Sequence, residues 1–212
     1  MKDGVSGEKV NIAVFVSGGG TNLQALLDAE KNGVIRSGRI VLVVSDNPSA
    51  YALQRAKNAG KDTAIAEKSG RSQAEFEADL TAVLKKYNIG LIVLAGFLRI
   101  LSPSFVKNYE NRIINVHPSL IPSFCGKGYY GLRVHEAALA YGVKVTGATV
   151  HFVNEIPDGG KIIMQKAVEI QPDDTPETLQ QRVMREAEWK ILPLSAEKVC
   201  ENMLARGSAA NE

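Results

Sequence analysis

The chain is short of the features that staple, anchor or target a protein. Its 212 residues include two cysteines, Cys125 and Cys200, without Cys-x-x-Cys spacing, so neither a disulfide nor a zinc-thiolate site is expected and both read as free thiols. No apolar run approaches the ~20 residues that span a bilayer. Met1–Lys9 is polar and glycine-containing, without the apolar stretch of a signal peptide, which points to a cytoplasmic protein with no membrane partner. The formal net charge is only +2 and the basic residues are scattered, so a nucleic-acid partner is not expected, while small anionic ligands remain open. Histidine is scarce too: His117, His135 and His151 are the full set. There is no internal repeat.

What is present is an ordinary globular composition, 45% apolar and 23% charged, on a length that suits a single domain over residues 1–212. Val10–Val16 and Ile40–Val44 are β-branched and nearly all apolar, the pattern of strands buried on both faces. Helical spacing over Asn22–Lys31 and Tyr51–Asn58 separates and follows them, giving a βαβ start. A helix over Gln73–Tyr87 leads to a strand at Leu91–Leu94, and Ile113–Val116 is the next strand. From Ser119 to Leu132 proline, glycine, serine and tyrosine mark a loop, followed by a helix over Arg133–Tyr141. Thr146–Val153 and Lys161–Ile170 flank the turn "NEIPDGG" as an antiparallel addition. Thr175-Pro176-Glu177 opens a long C-terminal helix, and the closing "GSAANE" is expected to fray. The fold class is therefore α/β: a mostly parallel open sheet with helices on both faces and an antiparallel addition in the C-terminal half.

Three stretches carry chemistry. "SGGGTNLQ", residues 17–24, joins the first strand to the first helix, where glycine backbone amides and the helix dipole can hold a phosphate. It lacks the Gly-Lys-Ser/Thr of a P-loop and the last glycine of a dinucleotide fingerprint, so a mononucleotide-like phosphate fits, as does a tight turn with no ligand. In "IINVHPSL" Pro118 forbids simple continuation of an apolar strand, so His117 emerges where strand becomes loop. Asn115 points to the same side of the extended chain. An amide donor and an imidazole converging there suit acyl-type transfer; a histidine that only caps a strand end is the plainer alternative. Asp158 in "PDGG" is either an ordinary turn residue or a carboxylate that, beside His117, favours the imidazolium. His151, in an apolar strand, reads as a hydrogen-bonded structural histidine, and His135, beside Glu136 on a helix, as a solvated one. No metal site is expected.

Taken in order, "SGGGTNLQALL", "VLAGFLRILSP", "NVHPSLIPSF", "GATVHFVNEIPDGGKII" and "EAEWKILP" resemble the phosphoribosylglycinamide formyltransferases, the folate-dependent glycinamide ribonucleotide transformylases of purine synthesis, over about residues 10–193. The resemblance implies a Rossmann-like formyltransferase fold and transfer of formyl from 10-formyltetrahydrofolate to the amino group of glycinamide ribonucleotide, without a metal. By position it assigns catalysis to Asn115, His117 and Asp158, the ribonucleotide to Gly20, Thr21, Asn22 and Glu188, and the folate to Leu98, Arg99, Ile100, Leu101 and Asn115. The chain departs from the family in three places. Trp189 follows Glu188 where many relatives have histidine, Gln73 stands at a basic folate-contacting position for which nearby Arg71 can substitute, and "CGKGYYGLRVHE" is longer than expected. Related formyltransferases and formyltetrahydrofolate hydrolases share the Asn–His–Asp set, but longer or additional domains distinguish them. A non-catalytic phosphometabolite binder would need the glycine loop but not the three residues together. A monomer and a homodimer remain equally open.

Overall fold

The computed structural model describes residues 8–209, with side chains to residue 207, and most of the polar N-terminal tail and residues 210–212 lie outside that range. The chain runs β1 (Val10–Val16), α1 (Thr21–Lys31), β2 (Gly38–Ser45), α2 (Tyr51–Asn58), β3 (Asp62–Ile65), α3 (Gln73–Lys86) and β4 (Leu91–Leu94). It continues through α4 (Pro103–Asn108), β5 (Ile113–His117), α5 (Leu132–Tyr141), β6 (Val145–Phe152), β7 (Ile162–Glu169) and α6 (Pro176–Val183). A π-helical turn (Met184–Glu188) and α7 (Trp189–Ala209) complete it. One seven-stranded sheet has the order β3-β2-β1-β4-β5-β6-β7. Strands β1 to β5 pair in parallel, whereas β5–β6 and β6–β7 are antiparallel.

Alternation along the central strands feeds two cores. Ile12, Val14 and Val16 of β1 pack with Leu23 and Leu26 of α1 and with Leu192 and Val199 of α7. Ala13 and Phe15 face the other way, onto Phe76, Leu80 and Leu84 of α3 and Phe105 of α4. Each fully buried large aliphatic side chain contributes roughly 1.5–3 kcal/mol relative to exposure, so a strand covered on both faces is apolar throughout. The helices start where their sequences say they should. Ser72 and Glu75 form a capping box on α3, Ser102 caps α4 ahead of Pro103, and Thr175 caps α6 ahead of Pro176.

The structure corrects several expectations. β3 and α4 are additional elements. The expected long C-terminal helix runs on from Pro176, with a π-helical turn set between α6 and α7. Of the "GSAANE" segment, residues 207–209 continue α7, and the expectation of fraying at residues 210–212 lies outside the described residues. His135 is fully buried between Val134 and Ala138 on the inner side of α5, not solvated. Among the described residues no helix is long and apolar enough to cross a membrane.

Candidate active site

The parallel strands β1, β4 and β5 are neighbours, so their C-terminal ends share one sheet edge, the place where open α/β sheets gather ligands. Ser17 follows β1, and its hydroxyl accepts a 2.9 Å hydrogen bond from the backbone N–H of Leu98, beyond β4. His117 is the last residue of β5. Three groups of residues are thereby brought to a common rim.

The first is the glycine turn. Gly20 has φ +74°, and a Cβ built there would lie 2.6 Å from the Ala52 Cβ, so the turn and α2 touch without room for a side chain. The carbonyls of Gly18 and Gly19 accept from Ala52 N at 3.1 Å and Arg55 Nε at 2.8 Å. A trans peptide sets N–H opposite C=O, so the amides of Gly19 and Gly20 point away from α2. The first N–H groups of α1 lack intrahelical partners for the same face of the turn. Behind it, Asn22 Nδ2 donates to Glu188 Oε2 at 2.6 Å, and Thr21 Oγ1 donates to Met184 Sδ at 3.7 Å. The π-helical turn thus backs the start of α1. Glu188 is buried, and burial pushes its carboxyl up to about 7, with the Asn22 hydrogen bond opposing the rise.

The second group surrounds His117. Asn115 and His117 lie on one face of β5, and antiparallel pairing sets His151 opposite Asn115 and Thr149 opposite His117. Asn115 Nδ2 lies 3.3 Å from His151 Nε2. His151 Nδ1 is 2.8 Å from the Phe152 carbonyl, which can only accept, so Nδ1 carries a proton, while Nε2 lies between the Asn115 amide and the Asp158 carboxylate. The Asp158 carboxylate stands between two imidazoles, with Oδ2 3.5 Å from His117 Nδ1 and Oδ1 3.5 Å from His151 Nε2. Gly126 N donates to Asp158 Oδ2 at 2.8 Å. Burial favours the protonated carboxyl, but the His151 contact, the His117 charge and the Gly126 amide together hold Asp158 below the usual carboxylate range. Gly160 permits the loop that carries Asp158, since a Cβ there would overlap the Phe152 carbonyl oxygen at 1.7 Å.

The third group is the segment after β4. Leu98 and Ile100 are 67% and 77% exposed, an unusual state for two large apolar side chains, whereas Leu101 is buried. Arg99 is tied to Asp46 at 2.6 Å. Gln73 Nε2 donates to the Ile100 carbonyl at 3.1 Å and to Glu77 Oε1 at 2.6 Å. Near Gln73, the Arg71 guanidinium pairs with Asp79 at 2.7 Å and donates to the Glu75 carbonyl at 3.1 Å. The cation that reaches Gln73 is Lys68, whose Nζ lies 2.5 Å from Gln73 Oε1.

The structure therefore gathers Asn115, His117 and Asp158 into one cluster, and Gly20, Thr21 and Asn22 with Glu188 into another. The sequence singled out His151 only as a hydrogen-bonded structural histidine and did not single out Lys68. Placing His151 in the cluster needs the register of β6 on β5, whereas Lys68 sits five residues before Gln73 in a loop without a pattern.

Comparison with known proteins places these residues in context. The model of the family described as "Formyl transferase" matches residues 10–195. The trifunctional purine biosynthetic protein adenosine-3 of Gallus gallus is 44% identical over 202 residues, which are 95% of this chain and 19% of that protein. The chain thus spans about a fifth of the length of that relative. The phosphoribosylglycinamide formyltransferase of Haemophilus influenzae is 41% identical over 184 residues, covering 86% of this chain and 84% of its own. The crystal structure of glycinamide ribonucleotide transformylase 1 from Symbiobacterium toebii superposes with a TM-score of 0.86 at 39% identity, covering 95% of this chain and 92% of that one.

Proposed function

The chain belongs to the formyl transferase family, and from that premise we propose that it moves the formyl group of 10-formyltetrahydrofolate onto the amino group of glycinamide ribonucleotide, yielding formylglycinamide ribonucleotide and tetrahydrofolate. The observation that carries the reading is the convergence of Asn115, His117 and Asp158 at the end of β5, on the rim shared with the glycine turn.

Each residue then has a task. Backbone amides of Gly20, Thr21 and Asn22 hold the ribonucleotide phosphate at the start of α1, and Glu188 meets the same substrate from behind. The exposed side chains of Leu98 and Ile100 offer an apolar cover for the flat pterin, and the backbone of Leu98, Arg99, Ile100 and Leu101 reads its edge. Lys68, linked through Gln73 to the Ile100 carbonyl, supplies a cation for the acidic tail of the folate.

In the reaction the substrate amine forms a bond to the formyl carbon while the bond from that carbon to the folate nitrogen breaks. Asn115 donates to the negative charge developing on the formyl oxygen, its amide nitrogen standing 3.3 Å from His151 Nε2. The amine loses a proton and the folate nitrogen gains one, and protonated His117 supplies it. Asp158 stays anionic beside His117.

A formyl-transfer assay of the purified chain with these two substrates, in the presence of EDTA, tests the reading. Turnover dependent on the ribonucleotide is expected. No turnover, or transfer to water alone, overturns it in favour of a hydrolase or a binding protein.

A further inference from the structure

The loop that follows β5 is fastened to the sheet beyond what closing a connection requires. Thr149 Oγ1 donates to the Ser119 carbonyl at 2.7 Å and accepts from Ile121 N at 3.1 Å. Gln165 Nε2 donates to the Ile121 carbonyl at 3.0 Å and to Thr149 Oγ1 at 2.9 Å. Ser119 Oγ donates to the Ser123 carbonyl at 2.6 Å, and Gly126 N is held by Asp158. Between these ties sits Phe124, a non-glycine residue at φ +48°, a region that L-residues avoid. Its ring is edge-on to Tyr129 at 6.3 Å and to Tyr141 at 6.0 Å, which anchors the residue in that conformation. The result is that the Phe124 carbonyl oxygen lies 2.8 Å from His117 Nε2.

A carbonyl oxygen has no proton to give, so the contact requires that Nε2 be the donor. His117 is 4% exposed, and its two ring nitrogens face different partners, Nε2 the Phe124 carbonyl and Nδ1 the Asp158 carboxylate. We propose that Phe124 is a positioning residue that locks one proton of His117 on Nε2, so that Nδ1, facing Asp158, is the nitrogen that gives up the proton in the reaction. This rests on the formyl-transfer reading for its kinetic meaning, although the tautomer itself does not.

The balance is simple. Nδ1–H of the imidazolium breaks as the proton passes to the departing folate nitrogen, directly or through one water, and the ring is left as the Nε2–H tautomer still bonded to Phe124. The proton lost by the amine reloads Nδ1. The titratable groups around this centre are Asp158 at Nδ1, His151 and Cys125 beside Asp158, and His135, which senses the His117 charge from α5.

Two-bond 1H–15N spectra of the whole chain, labelled at histidine, read the tautomer directly. His117 should remain protonated on Nε2 on both sides of its titration, with only Nδ1 changing. A neutral form protonated on Nδ1, or an even mixture, would overturn the proposal, and this measurement needs no variant. In kinetics Phe124→Ala should lower kcat about tenfold, a part of the usual general-acid contribution, and displace its pH profile. Both KM values should stay within about twofold, and Phe124→Tyr should restore the wild-type profile. An unchanged kcat and pH profile in folded Phe124→Ala would count against the positioning role. Should the wild-type chain fail to transfer formyl at all, the reading above falls and the tautomer spectrum still decides this one.

Discussion

Asn22 and Glu188 are 166 positions apart in sequence, yet the Asn22 amide donates to the Glu188 carboxylate at 2.6 Å. One residue lies in the first turn of α1 and the other closes the π-helical turn, so the start of α1 is held by a carboxyl that burial pushes up to about 7.

That displacement makes Glu188 a liability as pH rises. Its folded value of about 7 lies above the ordinary 4.5, so between those limits the folded state holds a proton that the unfolded state has lost. Stability from this group is full below pH 4.5 and declines as pH rises toward 7, by up to roughly 3 kcal/mol. Glu188→Gln should flatten that slope in thermal melts across the window and raise the ribonucleotide KM. An unaltered slope would show that Glu188 is already ionised.

Asp158 should behave in the opposite sense. Its carboxyl is held below the usual range, so it is ionised throughout neutral pH, and any activity lost by protonating it is confined below about pH 4. Asp158→Asn should reduce kcat on the order of 10²–10⁴-fold with a much smaller change in ribonucleotide KM. A variant with near-normal kcat would return Asp158 to the status of a turn residue.

His135 predicts acid sensitivity unrelated to catalysis. Burial first, and the His117 charge second, lower it to about 4, and both ring nitrogens lack a hydrogen-bond partner. The unfolded chain takes up a proton near 6.5 that the folded chain refuses, so stability falls as pH drops from 6.5 toward 4, by about 3 kcal/mol at most. His135→Leu should melt with a flatter acid limb than the wild type, and an equally steep limb would place the sensitivity elsewhere.

Gly20→Ala confronts φ +74° and the Ala52 side chain together. We expect a loss of about 1–3 kcal/mol in stability and a ribonucleotide KM that rises well before the folate KM. Equal weakening of both ligands would detach the glycine turn from the phosphate.

Legibility in the sequence followed burial. β1, β4 and β5 announced themselves because strands covered on both faces must be apolar, and α6 because Thr175-Pro176 is a start signal. The edge strand β3 has only four residues, none fully buried, which is too short for a period to show. Helix α4 did carry its signature, Ser102 ahead of Pro103, on only six residues. The π-helical turn has no sequence signature to read. In the site, Asn115 and His117 were paired by strand alternation alone. Asp158 required a resemblance, because nothing local says which strand end a turn will face. His135 was misread from its neighbour Glu136, although Val134 and Ala138 at helical spacing mark its side of α5 as the inner one.

The contact between Gly20 and Ala52 also bears on how this protein can be recombined. At their closest approach Gly20 offers no side chain and α2 offers the Ala52 methyl, while Arg55 of α2 bonds the Gly19 carbonyl, so the two segments fit as a matched pair although another strand separates them in the chain. A chimera whose crossover falls within β2 would take each half from a different parent, and a parent with anything bulkier at position 52 would dislodge the turn. Residues 17–24 and 50–55 therefore constitute one hereditary block, to be exchanged together or left together when variants are shuffled.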